Sequence, residues 1–173
     1  ATYNNVKHTW RLTNGSALWF RACQYESDRF GFQSTQFDLL IIDEATHFPW
    51  VVVDYLLTRN RANVVWPGLP RGYAFCVMTT NPGNVGHYWY RQLFIDSGPP
   101  DHLHEAETPN GTTERVYFLP AYLEDNPIGV ARDPDYEARL EARDPAVAAA
   151  LRWGDWEVAA GLPGKEVGPP LFD

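Results

Sequence analysis

With 173 residues, 45% of them hydrophobic and 21% charged, the sequence has the balance of a folded domain, which excludes a disordered or collagen-like chain. Its 22 acidic side chains against 14 basic ones give a formal net charge of −8, which excludes a protein that coats nucleic acid through a dense Lys and Arg surface. The apolar runs, such as 39–42 and 49–53, fall far short of the roughly 20 residues of a membrane-spanning helix, so no membrane association is expected. No signal peptide is legible near the start, where Lys7, His8 and Arg11 interrupt any apolar core. Cys23 and Cys76 each sit in a short apolar run and are expected to be free thiols. The chain starts at Ala1 and its only methionine is Met78, so a fragment or a trimmed product is expected.

Thr9–Thr13 and Ala17–Cys23 are strand-like runs separated by Asn14-Gly15, which predicts an N-terminal β-hairpin closed by a type I′ turn. Phe37–Ile42 reads as a buried strand whose consecutive aliphatics imply cover on both faces. A helix is expected from Pro49 through Val53, Leu56 and Leu57 towards Arg59. Pro67–Gly72 is a turn cluster, Tyr73–Met78 a second buried strand, and Asn81-Pro82-Gly83 its sharp end. Gly86–Ile95 has helical spacing at Tyr90, Leu93 and Phe94, and Val116–Leu119 predicts a third strand. Pro120–Pro127 reads as a connection. Asp133-Pro134 and Asp144-Pro145 each predict a helix start, with Asp as N-cap and Pro in the first turn, and Gly154 a helix stop. Six Pro and Gly lie within Gly161–Asp173 and suggest a linker or frayed end. The alternation predicts an α/β fold with a mainly parallel central sheet.

The strongest chemical signal is Leu39-Leu40-Ile41-Ile42-Asp43-Glu44. Ligands of open α/β sheets gather at the carboxyl ends of the strands, and a strand ending in two carboxylates points acid chemistry there. Mg²⁺ takes one or two carboxylates together with water and phosphate oxygens. In this Walker B arrangement Asp43 is the candidate metal residue, and Glu44 the base that takes a proton from an attacking water. The plain alternative is a strand followed by a charged turn. Met78-Thr79-Thr80-Asn81-Pro82-Gly83 ends the next strand, where the hydroxyls and amide of Thr79, Thr80 and Asn81 are candidates to sense a γ-phosphate. The commoner use of such residues is to satisfy turn backbone. The phosphate-cradling pattern Gly-x-x-x-x-Gly-Lys-Ser/Thr does not occur. Gly161–Glu166 has too few intervening residues, and Pro169-Pro170 would block the helix that must come after it.

His102, His104, Glu105 and Glu107 are read as a solvated loop in preference to a metal site. His47 is one residue too far along for an Asp-Glu-Ala-His helicase box. Arg59, Arg61, Arg71 and Arg91 are candidate phosphate or DNA contacts or arginine fingers, set against the commoner solvated helix face.

Together these stretches resemble the large terminase subunit of tailed double-stranded DNA bacteriophages, the ATP-driven motor that packages genomes. The resemblance runs over residues 8–160. It rests on Trp10–Phe20 with its Asn14-Gly15-Ser16 turn, Phe37–Ala45, Thr79–Gly83, Pro120–Pro127 and Gly154–Val158. It implies part of a P-loop NTPase of the additional-strand, catalytic-glutamate type. Asp43 then corresponds to the Walker B metal residue, Glu44 to the catalytic glutamate, and Thr79, Thr80 and Asn81 to the motif coupling hydrolysis to DNA movement. The implied cofactors are ATP and Mg²⁺. The implied partners are double-stranded DNA, the portal protein, the small terminase subunit and further copies of the chain on the portal, all in the host cytoplasm. Residues 1–160 then form the rear part of the ATPase domain, and 161–173 a linker or frayed end towards a nuclease domain that the sequence does not contain. The sequence departs from the family pattern in lacking the phosphate loop, the adenine-contacting segment and the nuclease acids. Two other readings stay open: a different P-loop DNA motor, helicase-like, and a non-catalytic interaction module that keeps the fold.

Overall fold

Short apolar runs broken by turn residues produce three small sheets among the described residues. The computed structural model describes residues 1–62, 65, 67–68 and 72–157. β1 (Thr2–Asn4), β2 (Thr9–Arg11) and β3 (Ala17–Trp19) form an antiparallel sheet in that order. The expected N-terminal hairpin is therefore present, shorter than predicted and extended by β1. Its turn differs from the prediction. Among residues 12–16 only Gly15 has positive φ, at 89°. The Gly15 N–H donates to the Leu12 carbonyl at 3.1 Å and the Leu12 N–H to the Ser16 carbonyl at 2.9 Å. This is a type I turn followed by a left-handed glycine, which matches strand twist without requiring Asn14 to be left-handed.

β4 (Leu39–Ile42) and β5 (Phe75–Met78) are adjacent and parallel, with Leu39 opposite Phe75 and Ile42 opposite Met78. Parallel pairing needs a long crossover; here the connection carries a short 3₁₀ turn at Ala45–His47 and α1 (Trp50–Leu57). Pro49 is extended, at ψ 152°, and sits just outside the helix as its N-cap residue rather than in its first turn. α1 buries Val52, Val53 and Leu56, the stripe that lies over the sheet. These residues form the main core with Ile42, Ala45, Trp89, Tyr90 and Trp156, and Leu40, Cys76 and Met78 pack against it. The other face of the strand pair is open, since Leu39, Ile41 and Val77 are exposed. The prediction that β4 is covered on both faces is corrected: its aliphatics alternate between core and surface as the pleat dictates. Cys23 and Cys76 are free, as predicted, and burial pushes the Cys76 thiol up to about 12, which leaves it a small apolar filler.

α2 (His87–Tyr90) continues into one π-helical turn, Arg91–Ile95. β6 (Leu103–Glu107) and β7 (Thr113–Tyr117) form an antiparallel hairpin over a second small core of Leu93, Ala106 and Val116. The predicted third strand thus starts earlier than Val116 and pairs with a strand where the sequence predicts a loop. The last described elements are α3 (Pro127–Arg132), α4 (Tyr136–Glu141) and α5 (Pro145–Trp153). Asp144 caps α5 as predicted, accepting from the Ala146 N–H at 2.9 Å, and Gly154 ends it in the left-handed conformation. Asp133 does not cap α4; its carboxylate is taken by Arg139, and the helix starts at Tyr136. Arg152 is buried at the centre of this helical end and bonds Glu124 at 2.5 Å and Glu137 at 2.6 Å. Both carboxylates keep an exposed side, so the ion cluster is only half desolvated.

The chain is a mixed α/β structure with short sheets, one parallel and two antiparallel among the described residues. The prediction of a mainly parallel central sheet is met only by β4 and β5. The N-terminal strands and the β6–β7 pair are joined by turns too short for a crossover, so they can pair only antiparallel. The predicted linker at 161–173 lies outside the described residues. Among the described residues no helix is long and apolar enough to cross a membrane.

Candidate functional site at the ends of β4 and β5

The in-register parallel pairing brings the two chemical stretches to one edge of the sheet. Asp43-Glu44 leaves β4 where Thr79-Thr80-Asn81 leaves β5. Backbone bonds extend the pairing past the strands: the Thr79 N–H donates to the Ile42 carbonyl at 3.0 Å, and the Ala45 N–H to the Thr79 carbonyl at 2.9 Å. The Thr79 hydroxyl donates to Asp43 Oδ1, which steadies the carboxylate of a residue that is itself exposed. Asp43, Glu44, Thr79 and Asn81 are exposed at this edge, while Thr80 is partly buried.

Glu44 has left-handed backbone, at φ 52° and ψ 51°. A non-glycine residue there carries a strain of about 1–2 kcal/mol. The residues on its C-terminal side over-determine the turn. Ala45 and Thr46 are fully buried, and the Gly86 N–H donates to the Thr46 carbonyl at 2.7 Å. Gly86 lies so close that a Cβ there would meet Thr46 Cα at 2.8 Å and the Phe48 carbonyl oxygen at 2.8 Å. Only glycine allows α2 to seat on the loop that carries the carboxylates.

The loop after β5 is held at its far end by His87. This ring is buried, stacks on Trp156 at 5.4 Å between centroids, and accepts from the Gly83 N–H through Nδ1 at 3.1 Å. Burial first, and then the Arg91 cation, hold its pKa below the ordinary 6.5, against raising contributions from the Trp156 backbone, Glu157 and Asp96. The unfolded chain therefore takes up a proton near pH 6.5 that the folded chain refuses. The stabilisation is complete above that value and is lost as pH falls through the window below it. The Tm of the parent is expected to fall more between about pH 7.5 and about pH 5.5 than that of His87→Phe, which keeps the stack but cannot titrate. Equal falls measured by circular dichroism would remove His87 from the acid response.

Other sequence candidates fall away from this edge. His102 Nδ1 bonds the Pro100 carbonyl at 2.8 Å, and His104 bonds Ser97 Oγ at 2.8 Å and the His102 carbonyl at 3.0 Å. These rings brace the β6 end, and among the described residues no three His, Cys, Asp or Glu side chains gather as a metal group. Arg91 is engaged by Asp96 and Glu157, and the Arg59 guanidinium lies over the Tyr55 ring at 4.9 Å. Arg71 and Gly161–Glu166 lie outside the described residues. Sequence reasoning missed Thr46, Gly86 and His87, the three residues that hold the loops in place.

A carboxylate steadied by a hydroxyl, a second carboxylate beside it and an exposed amide form a set of hard oxygen and hydrogen-bonding groups. Such a set suits Mg²⁺ held by one carboxylate with water and phosphate oxygens completing its shell, which needs no three-residue protein cage. Fold and site together define a mixed α/β chain with a polar loop pair at the carboxyl ends of two parallel strands. No protein-family model, curated protein or solved structure matches the chain.

Proposed function

We propose that the chain is the rear part of a P-loop ATPase domain, of the additional-strand, catalytic-glutamate type, from the large terminase subunit of a tailed bacteriophage. The observation that supports this reading best is the meeting of Asp43-Glu44 and Thr79-Thr80-Asn81 at adjacent parallel strand ends, bridged by the Thr79 hydroxyl on Asp43. Both stretches must reach one γ-phosphate in such a motor, and this pairing allows it.

In that reading Asp43 would hold Mg²⁺, and the ion supplies charge neutralisation on the phosphate oxygens when bound. Glu44 accepts a proton from the attacking water, and its exposed position leaves room for that water. Thr79 orients the Asp43 carboxylate. The loop of Thr79, Thr80 and Asn81 couples the state of the phosphate to movement of double-stranded DNA. ATP is the nucleotide; the portal protein, the small terminase subunit and further copies of the chain are the partners, and the host cytoplasm is the place of work.

The test compares two proteins. Full-length protein containing this chain is expected to hydrolyse ATP in a Mg²⁺-dependent way that double-stranded DNA and portal stimulate. The 173-residue chain alone is expected to bind ATP weakly and show no turnover, because its sequence has no glycine-rich loop and Lys to cradle the phosphates. Robust turnover by the 173-residue chain, or none by the full-length protein, would overturn the reading.

A further inference from the structure

We propose that Thr46 is a positioning residue that latches the Thr80-Asn81 loop to the Asp43-Glu44 loop, and that the Thr80 hydroxyl serves this latch rather than a ligand. The inference rests on the ATPase reading for its kinetic consequence, though not for its geometry. Thr46 is 0% exposed, and polar groups of the loop after β5 converge on it. Its hydroxyl oxygen lies 2.7 Å from Thr80 Oγ1 and 3.1 Å from the Asn81 carbonyl oxygen, and its one proton can serve either. Its N–H donates to Thr80 Oγ1 at 3.1 Å, and Asn84 Nδ2 donates to its hydroxyl at 3.4 Å.

The two hydroxyls can satisfy one another in two ways. Two hydroxyls carry two protons, and the available acceptors are the two hydroxyl oxygens and the Asn81 carbonyl. Either Thr80 donates to Thr46 and Thr46 to Asn81, or Thr46 donates to Thr80 and Thr80 donates to the Asn81 carbonyl 3.3 Å away. In the first arrangement both protons stay within the latch, and in the second the Thr80 proton has only the longer contact to Asn81. When Thr80 donates to Thr46 it has no O–H left for a phosphate, and the side chains that stay exposed at the carboxylate edge are Thr79 and Asn81. Burial strengthens these bonds and makes an unmatched hydroxyl costly, so the two loops move as one body.

The substitutions that isolate the latch are Thr46→Val and Thr80→Val, each removing one hydroxyl at nearly constant volume, with Thr46→Ser keeping it. In the full-length protein Thr46→Val is expected to lower the single-turnover rate of ATP hydrolysis about tenfold or more, since small misplacements of a catalytic group cost that much or more. Affinity for Mg²⁺–ATP is expected to stay within about threefold of the parent, Thr46→Ser to restore the rate, and the double Val variant to be no slower than either single one. In the 173-residue chain Thr46→Val and Thr80→Val are both expected to speed amide hydrogen exchange across residues 79–83. Thr80→Val, made from the less buried side, keeps the test open if Thr46→Val does not fold.

Parental rate and parental exchange in Thr46→Val would overturn the latch, as would equal losses in Thr46→Ser. A loss of nucleotide affinity in Thr80→Val that Thr46→Val lacks would return Thr80 to ligand contact. If the full-length parent hydrolyses no ATP, the ATPase reading fails, and amide exchange alone then decides the latch.

Discussion

Replacing Glu44 by Gln in the full-length protein is expected to leave Mg²⁺–ATP affinity nearly intact while slowing hydrolysis by about 10²–10⁴, or roughly 3–5 kcal/mol of barrier. Gln keeps the length and hydrogen-bonding reach of Glu but cannot take the proton of an attacking water. Asp43→Asn is expected to fail differently. Thr79 donates to the Asp43 carboxylate, and Asn can still accept that bond, so the loop stays in place. What is lost is the charge that would hold the ion, and so the productive binding of the metal–nucleotide complex. Nucleotide affinity measured beside single-turnover rate separates the two. A Glu44→Gln protein that hydrolyses within a fewfold of the parent would remove Glu44 as the base and return the Asp-Glu pair to a charged turn.

Trp156→Ala is expected to be the most damaging single change to the fold. Trp156 is buried, its ring lies parallel to that of Tyr90 with centroids 5.0 Å apart, and its other neighbour is the buried His87. Truncating such a residue costs about 3–5 kcal/mol, a large share of the stability of an ordinary domain. Urea denaturation of the 173-residue chain measures it, with Val6→Ala as a control at an exposed position expected to stay within about 0.5 kcal/mol of the parent. A loss below about 1 kcal/mol in Trp156→Ala would show that the ring is not part of the core. Because His87 touches both Trp156 and Gly83, the damage reaches the loop after β5 as well.

Local signals carry much of this architecture. The aliphatic run before Asp43 and the apolar run before Thr79 are both strands, and their shared order with an intervening helix is enough to expect parallel neighbours. Asp144-Pro145 and Gly154 bound a helix because capping is a short-range matter of one side chain and one backbone group. β6 is not legible. His104-Glu105-Ala106-Glu107 has no β-branched residue, and it is strand only because β7 supplies its partner and Leu93 a surface for Ala106. α3 is hidden for a related reason, since Pro127–Arg132 is too short and too interrupted by Pro and Gly to show an apolar period, although Asn126 does cap it by accepting from the Gly129 N–H. At the site, the carboxylates and the Thr-Thr-Asn stretch announce themselves by chemistry. Thr46 does not, because its partners Thr80 and Asn81 are 34 and 35 residues away and no periodicity links a hydroxyl to a hydroxyl.

If Glu44 is the base of the proposed ATPase, its left-handed backbone sets durability against activity at one residue. Glycine at that position would adopt the same φ without the Cβ penalty, and asparagine would tolerate it better than glutamate does. A population of variants sorted only for resistance to heat would therefore drift towards glycine or asparagine there and lose the carboxylate in doing so. Sorting for turnover would hold glutamate in place and let the relief of strain be found elsewhere in the chain. Position 44 is where the two pressures read the same backbone in opposite directions.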